Sequence, residues 1–227
     1  MVLYNPQEPI IYLHIPNCAG TYVRKVLSGW FKDNAYPHDF SNQGSVAPVR
    51  HALRPGICIH GHFNIRKHIG VQEYYPCVKQ FLAIIRDPFD IVVAHYFYAK
   101  ARLAAGDFIM SGRYKTFPES LDAYLKQEIC APDYRPNMLN FMPLAMNCSN
   151  YKVIIEQYFV YIGLVEDLQF SVNRIAACLG FRPEQVPANE CVDHSDQADK
   201  RVRQEFIKAH PLEYALYEYV AENYKKW

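Results

Sequence analysis

The sequence predicts a single α/β domain, with a central parallel sheet flanked by helices. Two short apolar runs rich in β-branched residues, 10–15 and 81–85, are typical of buried strands. Each run precedes a segment with helical spacing of its apolar residues, and such alternation favours a parallel sheet that is covered on both faces. Half of the 227 residues are hydrophobic and no linker or repeat interrupts the chain, so we expect one domain over residues 1–227.

The composition excludes several classes of protein. The chain has 24 Lys and Arg against 23 Asp and Glu, and a net charge of +1 argues against a general nucleic-acid binder. No apolar run approaches the roughly 18 residues that a membrane span needs. The seven cysteines are an odd number without a CxxC pair, which favours reduced thiols over a disulfide framework or a zinc site. We therefore expect a cytoplasmic protein with no nucleic-acid partner, no membrane span and no metal.

The first predicted strand and helix form a strand-loop-helix unit similar to a P-loop. Strand 10–15 leads into a turn that contains Ala19 and Gly20, and a helix is predicted over 22–31. Main-chain N–H groups at a helix N-terminus bind anions, and the Thr21 hydroxyl would add a hydrogen bond. The chain lacks both GxxxxGK[ST] and GxGxxG, so neither a Walker loop nor a Rossmann fingerprint is present.

Two histidines follow the next predicted strand. Residues 32–55 are rich in Pro, Asn and Ser and are predicted to be a loop, followed by a strand over 57–59. His60 and His62 come directly after it, and in an extended segment they share one face. One of them can act as a general base near neutral pH, although for an isolated histidine pair a structural role is the more common one.

Strand 81–85 ends at Arg86, and a helix is predicted from Pro88 to about residue 105. The forked donors of Arg86 suit phosphate or sulfate, while an ion pair with Asp87 or Asp90 is the structural alternative. Farther along the chain we predict a loop over 106–120, helices over 120–129, 168–179, 197–209 and 212–225, and a strand over 159–162.

Positive charge is concentrated near these strand ends. Residues 1–72 hold seven Lys and Arg against three Asp and Glu, a net of +4, and the remainder has a net of −3. No acidic residue lies between Asp39 and Glu73, an interval with four basic residues and four histidines. Such a segment is either a solvated surface or a local field that attracts an anion. Because ligands of α/β proteins bind at the carboxyl ends of strands, these ends form the predicted site.

Five segments resemble motifs of one enzyme family, the carbohydrate sulfotransferases. Residues 12–21, YLHIPNCAGT, resemble the family's LHIPKTGGT opening, and residues 83–98 resemble its RDPxxRxxSxYY segment. Residues 59–63, IHGHF, resemble the His-Gly-His segment of the uronyl 2-O-sulfotransferase branch. Two later segments, 161–168 and 213–219, resemble the family's late strand and its closing helix. With the five motifs in order from residue 10 to about 220, the chain is identified as a member.

The resemblance implies transfer of a sulfuryl group from 3′-phosphoadenosine 5′-phosphosulfate (PAPS) to a hydroxyl, without a metal. The expected acceptor is a saccharide or another hydroxyl compound, and the basic segment 50–68 would suit an anionic saccharide. His62 is the implied catalytic base, His60 supports it, and Arg86 binds the 3′-phosphate of the nucleotide. The loop after the first strand cradles the 5′-phosphosulfate, a role that falls on Asn17, Cys18, Ala19, Gly20, Thr21 and Tyr22.

Some positions depart from the family pattern. Asn17 stands where the family has a lysine, Ile91 where it has an arginine, and Ala94 where it has a serine. These changes leave open a weak or inactive relative that binds nucleotide or glycan without turnover. A nucleotide-dependent kinase is disfavoured, because the Walker lysine and acidic magnesium ligands are missing.

Several side chains are candidates to replace the missing groups. They are Arg24 or Lys25 for the lysine, and His95 or the loop around His194 and Ser195 for the phosphate contacts. Golgi relatives carry an amino-terminal anchor that residues 1–227 lack, so we expect a bacterial or viral enzyme.

Overall fold

A computed structural model describes residues 1–40, 46–106, 117–129, 131, 137–188 and 195–227. Its sheet has five parallel strands in the order β2-β3-β1-β4-β5. They are β1 Ile10–Leu13, β2 Ala35–His38, β3 Cys58–Gly61, β4 Phe81–Ile85 and β5 Phe159–Leu164. The predicted α/β fold with a parallel sheet flanked by helices is confirmed.

The described residues form eight α-helices. These are α1 Gly20–Phe31, α2 Val71–Tyr74, α3 Pro88–Ala104, α4 Leu121–Ile129, α5 Tyr151–Tyr158, α6 Leu168–Leu179, α7 Lys200–Ala209 and α8 Pro211–Asn223. Helix α3 begins as predicted, with Pro88 in its first turn and the Asp87 carboxylate accepting from the Phe89 N–H at 2.9 Å. Two 3₁₀ turns, Ile65–Lys67 and Met138–Phe141, pack against each other near the site described below.

The core lies on both faces of the sheet. Every residue of β1, β3, β4 and β5 is buried, as expected for parallel strands that helices cover on both sides. Helix α1 packs against β2 and β3, and helices α5, α6 and α8 pack against β5. A second apolar cluster joins α3, α4, α7 and α8 around Phe89, Tyr124, Phe206 and Tyr214.

Two elements differ from the sequence expectation. Strand β2 lies inside the segment 32–55 that was expected to be a loop. It contains Pro37, which the sheet tolerates because β2 is an edge strand with one hydrogen-bonded neighbour. The sequence does not predict helix α5. Only Ile154 and Ile155 of its eight residues are buried, so its apolar face is too short to give a clear helical pattern.

Candidate active site

The three predicted strand ends lie side by side. Leu13 of β1 is in register with Gly61 of β3 on one side and with Ala83 of β4 on the other. The chain leaves β1 toward the edge strand β2 and leaves β4 toward β5 at the opposite edge. Connections that diverge in this way open a crevice at the carboxyl ends of the strands, where α/β proteins bind their ligands.

The turn between β1 and α1 has the geometry of an anion site. Asn17 and Ala19 both have left-handed backbones, with φ of 60° and 54°, which costs a residue such as alanine about 1–2 kcal/mol. Ala19 is the N-cap of the 12-residue helix α1, makes no side-chain cap, and is followed by no acidic residue in the first turn. A strained turn that ends at an uncapped helix N-terminus favours binding of a negatively charged ligand.

The predicted anion-binding loop, residues 17–22, can contact a ligand mainly through its main chain. The Cys18 side chain is fully buried in the core. Tyr22 is also buried, and its hydroxyl donates to the Gln185 carbonyl at 3.1 Å. Thr21 is exposed at the start of α1, so its hydroxyl is accessible to a ligand.

Gly20 makes room for a histidine that sequence reasoning did not single out. A Cβ atom added at Gly20 would lie only 1.8 Å from Cδ2 of His14, the residue that follows β1. The His14 ring therefore lies directly against the first turn of α1. Glycine at this position lets the ring pack there, in addition to letting a ligand approach the backbone.

His62 presents one ring nitrogen as a proton acceptor. Its ring stacks on His14, with centroids 4.0 Å apart, and makes a T-shaped contact with Phe141, with centroids 6.2 Å apart. The His62 Nδ1 atom is 2.8 Å from the His14 carbonyl oxygen. A carbonyl can only accept, so Nδ1 carries the hydrogen and the lone pair of the neutral ring is on Nε2.

His60 faces helix α1. Its Nδ1 accepts from Nε of Arg24 at 3.1 Å, and its Nε2 lies 3.5 Å from the Ser28 hydroxyl. Arg24 forms an ion pair with Asp39 at 2.6 Å, and Asp39 accepts from the His62 main-chain N–H at 3.2 Å. Arg24 and Asp39 thus connect His60 to His62.

The environment keeps the histidines uncharged at neutral pH. Burial is the main cause that lowers the pKa of His14 to about 2 and that of His60 to about 4, and the Arg24 charge adds to both effects. Burial also lowers the pKa of His62, although the Asp39 carboxylate acts in the opposite direction. An uncharged His62 is the form that a general base needs.

Arg86 is buried and directly follows β4. Its alternative partners, Asp87 and Asp90, both accept from Arg203 of α7, at 2.5 and 2.8 Å. Arg203 pairs with both carboxylates and the Arg86 charge also acts on Asp90, so this strand end holds two cations beside two carboxylates.

Asn17, which stands in place of the family lysine, forms a hydrogen bond within the protein. The Asn17 side chain donates to the Ile91 carbonyl of α3 at 3.4 Å, which ties the turn to that helix. Arg24 is half-buried among the histidines, whereas Lys25 is exposed.

Of the side chains expected to replace the missing phosphate contacts, the structure describes that of His95. The His95 ring is 2.6 Å from the Tyr124 hydroxyl of α4. His194 and the side chain of Ser195 lie outside the described residues.

Sequence reasoning did not assign a site role to His14 or Asp39. Asp39 is the last acidic residue before the basic interval and could have been noticed for that reason. His14 lies at the end of the strand that precedes the turn, in the position equivalent to His62 after β3.

In the part of the chain that the structure describes, no group of three or more His, Cys, Asp or Glu residues is arranged to hold a metal ion. Over the same residues, no helix has the length and apolar character needed to cross a membrane.

Comparisons with known proteins agree with this architecture. No curated protein matches the sequence. Among solved structures, the chain is similar to the mouse sulfotransferase SULT7A1, which was crystallised in complex with PAP. That match covers 96% of this chain and 90% of the mouse chain, with a TM-score of 0.56 and 11% identity, a likeness of fold. The profile of the sulfotransferase family matches residues 1–225, so the chain belongs to the sulfotransferase family.

Proposed function

We propose that this protein transfers a sulfuryl group from PAPS to a hydroxyl of a carbohydrate, with His62 as the general base. The observation that carries the proposal is the uncharged His62 ring with its lone pair on Nε2. This ring follows β3 at the carboxyl end of the sheet, the same end as the uncapped N-terminus of α1. Family membership supports sulfuryl transfer in general, and the PAP bound to SULT7A1 supports a donor of the PAPS type.

The residues present fit a donor that carries several negative charges. Main-chain N–H groups of residues 17–22 and the Thr21 hydroxyl would hold the 5′-phosphosulfate, at a helix N-terminus without an acidic neighbour. Arg86, which directly follows β4, would hold the 3′-phosphate with its forked donors. Bound PAPS would supply the sulfuryl group and a phosphate leaving group.

His62 would take the proton of the acceptor hydroxyl on Nε2. Its Nδ1 keeps its hydrogen bond to the His14 carbonyl throughout, so the ring does not need to turn. The positive charge that develops on the ring is stabilised by the Asp39 carboxylate, which favours the charged form of His62. General-base catalysis of this kind contributes about 10²–10⁴ in rate.

The surface beside His62 favours an anionic sugar as acceptor. Lys67 lies over the Phe40 ring at 5.6 Å, and its charge acts on His62. Near the carboxyl end of β2, Arg50 lies over the Tyr74 ring of α2 at 5.9 Å, and Tyr74 contacts His38. Aromatic faces and cations together suit sugar rings that carry carboxylate or sulfate groups.

A weak or inactive relative is the second candidate. The Asn17 amide is uncharged and hydrogen-bonded to Ile91, so it does not provide the positive charge of the family lysine. Loss of one preorganised electrostatic contact costs about 10²–10³ in rate.

Nucleotide binding and transfer separate these candidates. We expect calorimetry to show binding of PAP but not of ATP, and labelled PAPS to pass sulfate to anionic saccharides. Binding of ATP would instead favour a kinase, and PAP binding without transfer to any hydroxyl tested would favour the inactive relative.

A variant at Asn17 tests the missing charge directly. If the missing charge limits the rate, Asn17→Lys should raise transfer by about 10²–10³. Lys25→Asn, at an exposed position of α1, is the control for a charge change close to the same loop.

A further inference from the structure

Arg24 faces the same ring nitrogen, Nδ1, of two histidines. Its guanidinium can only donate hydrogen bonds, and its three nitrogens contact three different groups. Nε donates to Nδ1 of His60 at 3.1 Å, one terminal nitrogen is 3.5 Å from Nδ1 of His14, and the other pairs with Asp39 at 2.6 Å. Both contacts favour a lone pair on Nδ1, more strongly in His60 than in His14, and so place the hydrogen of each neutral ring on Nε2.

His62 has the opposite arrangement. Its Nδ1 carries the hydrogen, because it faces the His14 carbonyl at 2.8 Å, and its lone pair is on Nε2. The neutral state of His14 matters for this ring, since the two centroids are only 4.0 Å apart and two charged rings would repel each other. Of the three histidines, His62 is the one whose Nε2 can accept a proton.

Asp39 acts on His62 from the other side. One carboxylate oxygen pairs with Arg24, and the other accepts from the His62 main-chain N–H at 3.2 Å. The carboxylate thus anchors the segment that carries His62 and compensates the guanidinium charge close to it.

We propose that Arg24 and Asp39 are positioning residues that select His62 as the base, Arg24 by keeping the hydrogens of the neutral His14 and His60 rings on Nε2. Asp39 completes the selection by fixing the His62 main chain and offsetting the guanidinium charge. The inference rests on the proposed role of His62 as base, and it adds how the fold chooses one histidine among three.

The charged and titratable groups around His62 come from five elements. Within the described residues they are His14 after β1, Arg24 on α1, Asp39 after β2, His60 on β3 and Lys67 in a 3₁₀ turn. Arg24 and Lys67 lower the pKa of His62, and Asp39 raises it. Phe141, from the other 3₁₀ turn, adds an uncharged ring edge.

NMR titration of protein labelled with ¹⁵N-histidine tests the inference, with His62→Gln used to assign the His62 signals. We expect the hydrogen on Nδ1 of His62 and on Nε2 of His14 and His60. Arg24→Met should raise the pKa of His62, and Asp39→Asn should lower it. Both variants break the same ion pair, so a purely structural role would move the His62 pKa in one direction, and that result would overturn the inference.

Two further variants complete the experiment. Lys25→Met removes an exposed charge from the same helix and should shift the His62 pKa less than Arg24→Met does. Arg24→Lys keeps the charge but not the fork, so it should leave the His62 pKa nearer to wild type and release the His60 tautomer. An equal His62 shift in Lys25→Met and Arg24→Met would contradict the inference.

The histidine tautomers and the His62 pKa can both be measured without sulfate transfer. A protein that shows the expected tautomers and opposite shifts but transfers no sulfuryl group overturns the proposed function and leaves the electrostatic selection supported. A hydrogen on Nδ1 of His60 in the wild type overturns the role of Arg24, whatever the activity.

Discussion

Replacing Gly20 by alanine should destabilise the protein and disturb the histidines together. The new Cβ would lie 1.8 Å from Cδ2 and 2.1 Å from Nε2 of His14, where ordinary contacts begin near 3.4 Å. The His14 ring cannot yield easily, because it is buried, stacks on His62 and contacts Arg24. The backbone of Gly20 is not itself in the left-handed region, so the cost is steric.

The magnitude follows from two contributions. Overpacking of a filled interior costs about 1–3 kcal/mol. Loss of the ring stack, when His14 is pushed away from His62, adds about 0.5–1.5 kcal/mol. We therefore expect Gly20→Ala to lower the free energy of unfolding by about 3 kcal/mol, or the melting temperature by roughly 6–12 °C for a domain of this size.

Urea unfolding of two matched glycine variants tests this reasoning. Gly29 lies in the same helix, and a Cβ added there meets nothing within 4 Å, so Gly29→Ala should stabilise by about 0.5–1 kcal/mol. In a His14→Ala background, Gly20→Ala should lower the free energy of unfolding by little, because alanine at position 14 leaves room for the new methyl group. Equal stability of Gly20→Ala and Gly29→Ala, or an undiminished cost in the His14→Ala background, would refute the steric explanation.

Two more predictions concern stability. Burial lowers the pKa of His38 to about 4 from its ordinary value of 6.5. The contribution of His38 to the free energy of unfolding is therefore complete above pH 6.5 and is lost as the pH falls toward 4. The stability difference between wild type and His38→Gln in urea should therefore shrink by about 1.4 kcal/mol per pH unit over that range, and a constant difference would contradict it. Arg203→Met removes the ion pairs with Asp87 and Asp90 and should lower the free energy of unfolding by about 1–3 kcal/mol. This is less than for a fully buried pair, because the Arg203 side chain is 34% exposed. The exposed neighbour Arg201→Met should cost under about 0.5 kcal/mol, and equal costs would argue against the ion pairs.

The central part of the sheet could be predicted from the sequence because its signal is local. Strand β4 coincides with the apolar run 81–85, and α6 coincides with the helical pattern over 168–179. Strand β2 could not be predicted in this way, since four residues with an internal proline carry no strand pattern. Its stability comes from pairing with β3, a tertiary contact that the local sequence does not reveal.

The same limit applies to the site. Arg86 and His62 could be predicted because they directly follow β4 and β3, and His60 because it lies near the end of β3. Parallel strands bring these carboxyl ends together. Asp39 follows β2, so its position beside His62 could not be expected without that strand. The closeness of His14 to Gly20 depends on how α1 packs against the strand ends, which the spacing of apolar residues does not specify.

The identity of the base is tested most directly by single-turnover sulfate transfer from labelled PAPS, measured alongside PAP affinity. We predict that His62→Gln lowers the transfer rate by about 10²–10⁴ and leaves PAP binding intact, because the variant loses the Nε2 acceptor but not the nucleotide site. His60→Gln should lower transfer less, since His60 contacts Arg24 and Ser28 of α1. A His62→Gln protein that transfers sulfate at the wild-type rate would contradict the role of His62 as the base.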